Sequence, residues 1–330
     1  MKAWQISPFA NLKLSQVDSQ PLLPRQVRLA VKAVSLNYRD HLMMQGLYNP
    51  KQPLPLVPCS DASAEIVEIG SAVQRWKIGD RVCPIFSQAW IAGPPTRERI
   101  SATLGGPLPG MLQQQRILDE DGMVAIPNYL DWEEAATLPC AALTAWNALA
   151  GLAPGSKVVV QGTGGVSLFA LQLAKASGLE VAITSSSDEK LERALSLGAD
   201  YLVNYRLRPD WSKAIRHWCK EGVDCVVEVG GGTLEQSLRC LRPGGQISMI
   251  GILAGSSAPL NVLPILMQQL RVQGVLVGNR DDFEAMNRLL ALHQLRPVLD
   301  QRIPFEQAPQ AWLRLASGQH FGKVVVTGFW

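Results

Sequence analysis

The stretch Lys157-Val158-Val159-Val160-Gln161-Gly162-Thr163-Gly164-Gly165-Val166-Ser167 joins a short β-branched run to a glycine-rich turn. The turn opens into the amphipathic run Val166 to Ser177, which Gly178 ends. This order predicts a strand, a tight turn and a helix. In such a turn the first glycine permits the reversal and the second lets a pyrophosphate approach the backbone. The helix N-terminus then offers unpaired N–H groups and the positive end of a dipole. The third glycine of the G-x-G-x-x-G fingerprint is replaced by Ser167, small enough to stand where helix meets strand. The spacing predicts a dinucleotide cradle made by Gly162, Gly164, Gly165 and Val166.

Working outward, the same alternation recurs downstream. Strands are predicted at Val181 to Thr184, Tyr201 to Asn204, Asp224 to Val229, Gln246 to Ile250 and Val272 to Val277. Helical patterns at 188–197, 211–221, 234–241 and 263–269 separate them. Short apolar strands between amphipathic helices imply an α/β fold with a Rossmann-type, doubly wound parallel sheet. Upstream the chain is turn-rich and β-like, with alternation at Gln26 to Ser35, Ala64 to Ile69 and Asp80 to Ile85. Residues 93–112 carry Gly93, Pro94, Pro95, Gly105, Gly106, Pro107, Pro109 and Gly110 and are expected to form a long surface loop. Asp131, with Glu133 and Glu134 behind it, reads as a helix N-cap. Helices at about 281–294 and 305–317 and a strand at Lys323 to Thr327 follow a completed sheet. The tail is therefore expected to return to the first domain. The division is a β-rich catalytic domain at 1–124 with 279–330, and a dinucleotide domain at 125–278.

At 330 residues the chain is long enough for two domains. Hydrophobic residues make up 47% and charged residues 18%, an ordinary globular balance. A net charge of +3 is too small to suggest nucleic-acid binding. The six cysteines, Cys59, Cys83, Cys140, Cys219, Cys225 and Cys240, form no C-x-x-C pair. Reduced thiols are expected, and with no leader or spanning segment apparent, a soluble cytoplasmic protein.

The end of the second strand selects the cofactor. It reads Thr184-Ser185-Ser186-Ser187, where NAD sites usually hold an acid against the ribose diol. A carboxylate beside a 2′-phosphate would cost about 4 kcal/mol at intermediate dielectric, less after screening. Hydroxyls at Ser185 and Ser186, with Lys190 one turn into the next helix, favour NADPH. The serines also suit a plain N-cap, and Lys190 a solvated face. Gly230, Gly251 and Asn279 fall at predicted strand ends, where open α/β sheets bind ligands.

Taken with Asn37-Tyr-Arg-Asp40, Gln45-Gly-Leu-Tyr48, Pro58-Cys-Ser-Asp-Ala-Ser-Ala-Glu65, Gly79-Asp-Arg-Val82, Leu138-Pro-Cys-Ala-Ala-Leu-Thr-Ala145, Gly198-Ala-Asp200, Leu241-Arg-Pro-Gly-Gly245 and Phe321-Gly-Lys-Val324, the chain resembles the medium-chain dehydrogenase/reductase superfamily. It is most similar to the zinc-free, quinone-oxidoreductase-like branch. The resemblance spans essentially the whole chain. It implies a GroES-like β-rich catalytic domain, a Rossmann domain and an active site in the cleft. It also implies Tyr205 near the adenosine phosphate, Thr144 behind the nicotinamide, and a homodimer joined through the edge strand at Val272 to Val277.

Zinc-using members supply Cys, His and Cys to the metal, where this chain has Asn37, Ser60 and Cys140. Catalytic zinc needs three protein ligands, so no metal is expected. Without a Lewis acid, reduction of a C=C bond conjugated to a carbonyl, or of a quinone, is the better match. Charge then develops on a carbonyl oxygen and needs hydrogen-bond donors. By the resemblance the donor is Tyr48, with Asn37 and Asp40 holding the carbonyl or the loop. Two rival readings stay open: an alcohol dehydrogenase with a displaced metal site, and a non-catalytic NADPH-binding sensor or scaffold.

Overall fold

A computed structural model of the protein describes residues 1–253, 255 and 260–329. In chain order the first elements are β1 (Lys2–Ile6), β2 (Leu12–Gln16), β3 (Gln26–Ser35), α1 (Tyr38–Met44), β4 (Asp61–Ile69), β5 (Arg81–Pro84), α2 (Arg97–Ser101), β6 (Gln115–Asp119), β7 (Met123–Ala125) and α3 (Trp132–Ala135). A π-helical turn, Leu138–Ala142, leads into α4 (Leu143–Ala148). Then come β8 (Lys157–Gln161), α5 (Gly165–Ala176), β9 (Glu180–Ser185), α6 (Asp188–Ser196), β10 (Tyr201–Asn204), α7 (Trp211–Trp218), β11 (Val223–Glu228), α8 (Leu234–Cys240), β12 (Leu241–Met249), α9 (Leu263–Met267) and β13 (Arg271–Gly274). The chain closes with α10 (Arg280–His293), β14 (Leu299–Pro304), α11 (Pro309–Ala316) and β15 (Lys323–Thr327).

Two compact units result, Met1–Leu143 with Val277–Trp330, and Thr144–Leu276. The first division falls later than residue 124 because α3 and the strands before it belong together. β7 pairs with β5, and the Ser63 hydroxyl of β4 donates to the Trp132 carbonyl. Asp131 does cap α3: its Oδ1 accepts from the Glu134 N–H at 2.6 Å, and Glu134 returns the bond to Asp131.

The second unit is a six-stranded sheet of order β10-β9-β8-β11-β12-β13, with every pair parallel. Val158, Val159 and Val160 of β8 are fully buried, each contributing about 1.5–3 kcal/mol of burial. The order reverses between β8 and β11, so the C-terminal ends of these two strands form the switch point at which such sheets bind ligands. The last strand is shorter than its apolar pattern, because pairing with β12 ends at Gly274.

The first unit holds a seven-stranded sheet of order β14-β15-β3-β4-β5-β7, with β6 also on β3. β3 is long enough for β6 to pair with its first half and β15 with its last three residues. The returning tail thus enters the sheet next to β3. Part of the supposed surface loop 93–112 is instead core: Leu104, Met111 and Leu112 are fully buried. Backbone bonds from Gly110 and Met111 to Val57 and Cys59 pull it inward. Glycine and proline marked its turns there, not its exposure. No helix among the described residues is long and apolar enough to cross a membrane.

Candidate active site

In the second unit, the turn after β8 is built as a cradle. Gly162 has φ +75°, and its N–H donates to the Thr184 carbonyl at 2.8 Å, tying the turn to β9. A Cβ there would meet only the Ser167 Oγ, at 3.8 Å. Glycine is therefore required by the left-handed backbone, and the space over the turn stays open. Gly164 caps α5, and Gly165 and Val166 form its first turn, whose N–H groups lack helical partners by geometry. Ser167 explains its departure from the fingerprint: its hydroxyl donates to the Gln161 carbonyl at 2.7 Å, pinning helix to strand.

β9 and β10 bring two of the predicted phosphate residues, Ser185 and Tyr205, side by side. Ser185, buried, accepts the Tyr205 N–H on its carbonyl at 3.0 Å, so Tyr205 stands beside it at the end of β10 with its ring partly exposed. Ser187, not Ser185 or Ser186, is the cap of α6, accepting the Lys190 N–H. The first carboxylate after this run in the sequence, Asp188, is engaged by the Asn204 side chain at 2.7 Å.

Gly230 and Gly251 follow β11 and β12 at the same end of the sheet. Close packing also demands glycine there, since an added Cβ would meet the Thr233 Oγ1 at 2.4 Å and the Val229 carbonyl at 2.9 Å, respectively. Thr144, in α4, is buried. Asn279 does not lie at a strand end. β13 stops at Gly274, and Asn279 belongs to the first unit, where its Oδ1 caps α10 by accepting the Asp282 N–H at 2.8 Å.

Sequence reasoning missed Glu228, the fully buried last residue of β11. Its Oε1 accepts from the Gly230 and Gly231 N–H groups at 2.8 and 2.9 Å and from the Thr233 hydroxyl at 2.7 Å. Its Oε2 accepts from the Gln161 side chain at 2.8 Å and from the Ser237 hydroxyl. The carboxylate joins the strand that opens the cradle to the loop after β11. An acid closing the apolar run Cys225-Val226-Val227 was the available signal.

In the first unit, register assembles a polar cluster at one end of the sheet. Val325 faces Ser35 on one side and Asp61 faces it on the other, so Lys323, Asn37 and Cys59 fall level two residues on. Lys323 is buried, and its Nζ donates to the Leu36 carbonyl at 2.6 Å and to Asn37 Oδ1 at 2.5 Å. Asp40 turns back so that its Oδ2 accepts the Asn37 N–H at 2.8 Å. Burial raises the Asp40 pKa to about 6, opposed by the Arg39 charge and the Asn37 N–H. Asp61 accepts from the Ser60 hydroxyl at 2.6 Å and from the Cys140 N–H, in the π-helical turn, at 3.1 Å. Burial pushes the Asp61 pKa up while Lys323, the Ser60 hydroxyl and the neighbouring Asn37 side chain pull it down.

Tyr48 is partly exposed, with its ring over Arg39, whose guanidinium carbon lies 5.0 Å from the ring centroid. Arg39 is anchored by the Leu104 and Gly106 carbonyls at 2.7 and 2.9 Å. The structure thus gathers Asn37 and Asp40, and links Tyr48 to them through Arg39. Sequence reasoning missed Lys323, which stood only as one letter of the tetrapeptide Phe321-Gly-Lys-Val324 quoted for the resemblance. Its signal was a cation heading the buried run Val324-Val325-Val326.

Comparison with known proteins agrees with this architecture. Residues 23–128 match the alcohol dehydrogenase GroES-like domain family, and residues 165–291 match the zinc-binding dehydrogenase family. A zinc-type alcohol dehydrogenase-like protein of Schizosaccharomyces pombe is 41% identical over 98% of this chain and 96% of its own. The crystal structure of an NAD-dependent alcohol dehydrogenase is 30% identical, with a TM-score of 0.91 and 99% of each chain covered. The quinone oxidoreductase of Thermus thermophilus, solved also with NADPH, is 31% identical with a TM-score of 0.80, covering 99% of this chain and 100% of that one. With its parallel sheet, its GroES-like unit and these relatives, the chain belongs to the medium-chain dehydrogenase/reductase superfamily of oxidoreductases.

Proposed function

We propose that the chain transfers hydride from NADPH, without a catalytic zinc, to an activated C=C bond or to a quinone. The observation that carries this reading is the state of the three positions where zinc-using members hold the metal. Asn37 Oδ1 already accepts from the Lys323 ammonium, and the Ser60 hydroxyl donates to Asp61. Burial, reinforced by Asp61, pushes the Cys140 thiol pKa up, disfavouring a thiolate. A buried ammonium 2.5 Å from one ligand position repels a dication. The residues present do not fit a catalytic zinc.

They do fit a phosphorylated dinucleotide. The first turn of α5 would hold the pyrophosphate, and Ser185, Ser186, Lys190 and Tyr205 the 2′-phosphate. Thr144, Gly230 and Gly251 would border the rest of the cofactor. When bound, the reduced nicotinamide supplies the hydride. The chain's own residues then stabilise charge on the substrate oxygen: the Asn37 amide holds the carbonyl, and Tyr48 donates a hydrogen bond or a proton. Asp40 holds the Asn37 backbone in place.

The test is an NADPH-oxidation screen over enones, enals and quinones, with metal analysis of the same preparation. Turnover of a member of the panel by metal-free protein supports the proposal. NADPH binding without turnover would mean a sensor or scaffold. The alcohol dehydrogenase names of two relatives favour alcohol oxidation as a second reading. Stoichiometric zinc required for turnover would establish that one.

A homodimer joined through the sheet edge is part of this proposal. β13 is exposed along its length, and Val262, Leu263, Leu266, Met267, Val272 and Leu276 are exposed apolar residues beside it. Pairing two such edges would cover them. The six unpaired cysteines suit a reducing compartment such as the cytoplasm.

A further inference from the structure

Within the polar cluster, Asn37 carries a buried side-chain donor without a hydrogen-bond partner. It is 9% exposed, its Oδ1 is occupied by Lys323, and its Nδ2 has no hydrogen-bond partner. The neighbouring Asp61 carboxyl feels the amide, but its formed bonds go to Ser60 and to the Cys140 N–H. An ammonium can only donate, so the lysine dictates which way the amide faces. The oxygen must meet Nζ, and the NH2 group must turn to the opposite side. Lys323 is fixed in turn by the Leu36 carbonyl and by its place in β15.

We propose that Lys323 is a positioning residue that locks the Asn37 amide, so that Nδ2 presents its N–H to the substrate carbonyl and stabilises the negative charge formed there. The positive charge behind the amide oxygen also strengthens the N–H as a donor, by polarisation along the chain of bonds. Preorganisation is the source of the effect, because the donor need not rotate or shed water as charge develops. The Asp61 carboxyl, buried on β4, feels the lysine charge, which lowers its pKa. This inference rests on the reductase reading above, and its test separates the two.

The variants are Lys323→Met, Lys323→Arg, Asn37→Asp and the double variant Lys323→Met/Asn37→Asp, with Asn37→Ala as a second variant should the aspartate disturb folding. Turnover is read with 2-cyclohexenone and 1,4-benzoquinone as probes. The amide is read directly from the Asn37 side-chain NH2 resonances in asparagine-15N-labelled protein. Asn37→Asp should lower kcat on the order of 100-fold. Lys323→Met should lower it about tenfold at unchanged NADPH affinity, and Lys323→Arg, also a pure donor, should recover most of the loss. In the Asn37→Asp background, Lys323→Met should cost little more, because the lysine acts through the amide. The Asn37 NH2 resonances should shift in Lys323→Met. Unmoved resonances would overturn the lock, as would fully additive losses, or a Lys323→Met loss with no loss in Asn37→Asp. A wild-type protein that turns over neither probe would overturn the reductase reading alone, because the resonances still decide whether the lock exists.

Discussion

Asp40 should make the protein less stable as pH rises through the mildly acidic range. The carboxyl is fully buried, and its pKa is raised from 3.8 to about 6, first by desolvation. The groups facing it are Arg39 on its own helix, with Nη1 4.0 Å from Oδ1, the Asn37 N–H before that helix, Asp61 on β4 and Lys323 on β15. The nearby Cys59 thiol is itself pushed up by burial and stays neutral here. With the folded pKa above the unfolded one, the native protein holds a proton that the unfolded chain has released. Stability from this group is full below the unfolded value and is lost as pH rises through about 6. A shift of about two units corresponds to about 3 kcal/mol. Asp40→Asn keeps an acceptor for the Asn37 N–H and removes the titration. Its new NH2 beside Arg39 costs something, but equally at every pH. Urea denaturation of both proteins between about pH 4 and pH 7 should show the variant gaining about 2 kcal/mol on the wild type as pH rises, the rest of the shift lying below about pH 4. The 13C carboxyl resonance of Asp40 should titrate near 6. A stability difference that stays constant with pH, or an Asp40 resonance that titrates at the ordinary carboxylate value, would refute the reasoning.

Three other perturbations test the rest of the site. Tyr48→Phe should lower turnover on the order of tenfold or more while leaving the NADPH dissociation constant unchanged, as read by fluorescence titration; unchanged turnover removes the donor role. Ser185→Asp should shift the NADPH-to-NADH affinity ratio about tenfold toward NADH, through repulsion of the 2′-phosphate. A constant ratio would mean that the phosphate lies elsewhere. Glu228→Gln places an NH2 against groups that already donate, and should cost about 2–3 kcal/mol by urea midpoint and weaken NADPH binding; wild-type behaviour in both would show that the Glu228 bonds do not hold the cradle.

The amino-acid sequence by itself determined the local elements and the cradle. The run Lys157 to Gln161, the left-handed Gly162 and the helix behind it are dictated by neighbours in the chain, and β8, β10 and β15 lie where their apolar periodicity put them. Local signals failed where the outcome depends on residues far apart in sequence. Proline and glycine in 93–112 announced turns, but only packing decided that Leu104, Met111 and Leu112 enter the core. The apolar run to Val277 promised a longer strand, but pairing with β12 ended it at Gly274 and left Asn279 to cap a helix. The tertiary structure alone revealed the partners of two buried charged residues, one in each unit. Lys323 meets Asn37 across 286 positions of chain, and Glu228 meets Gln161 across 67. A buried charge needs partners to offset its desolvation, and which partners it finds is set by the register of strands from distant parts of the chain.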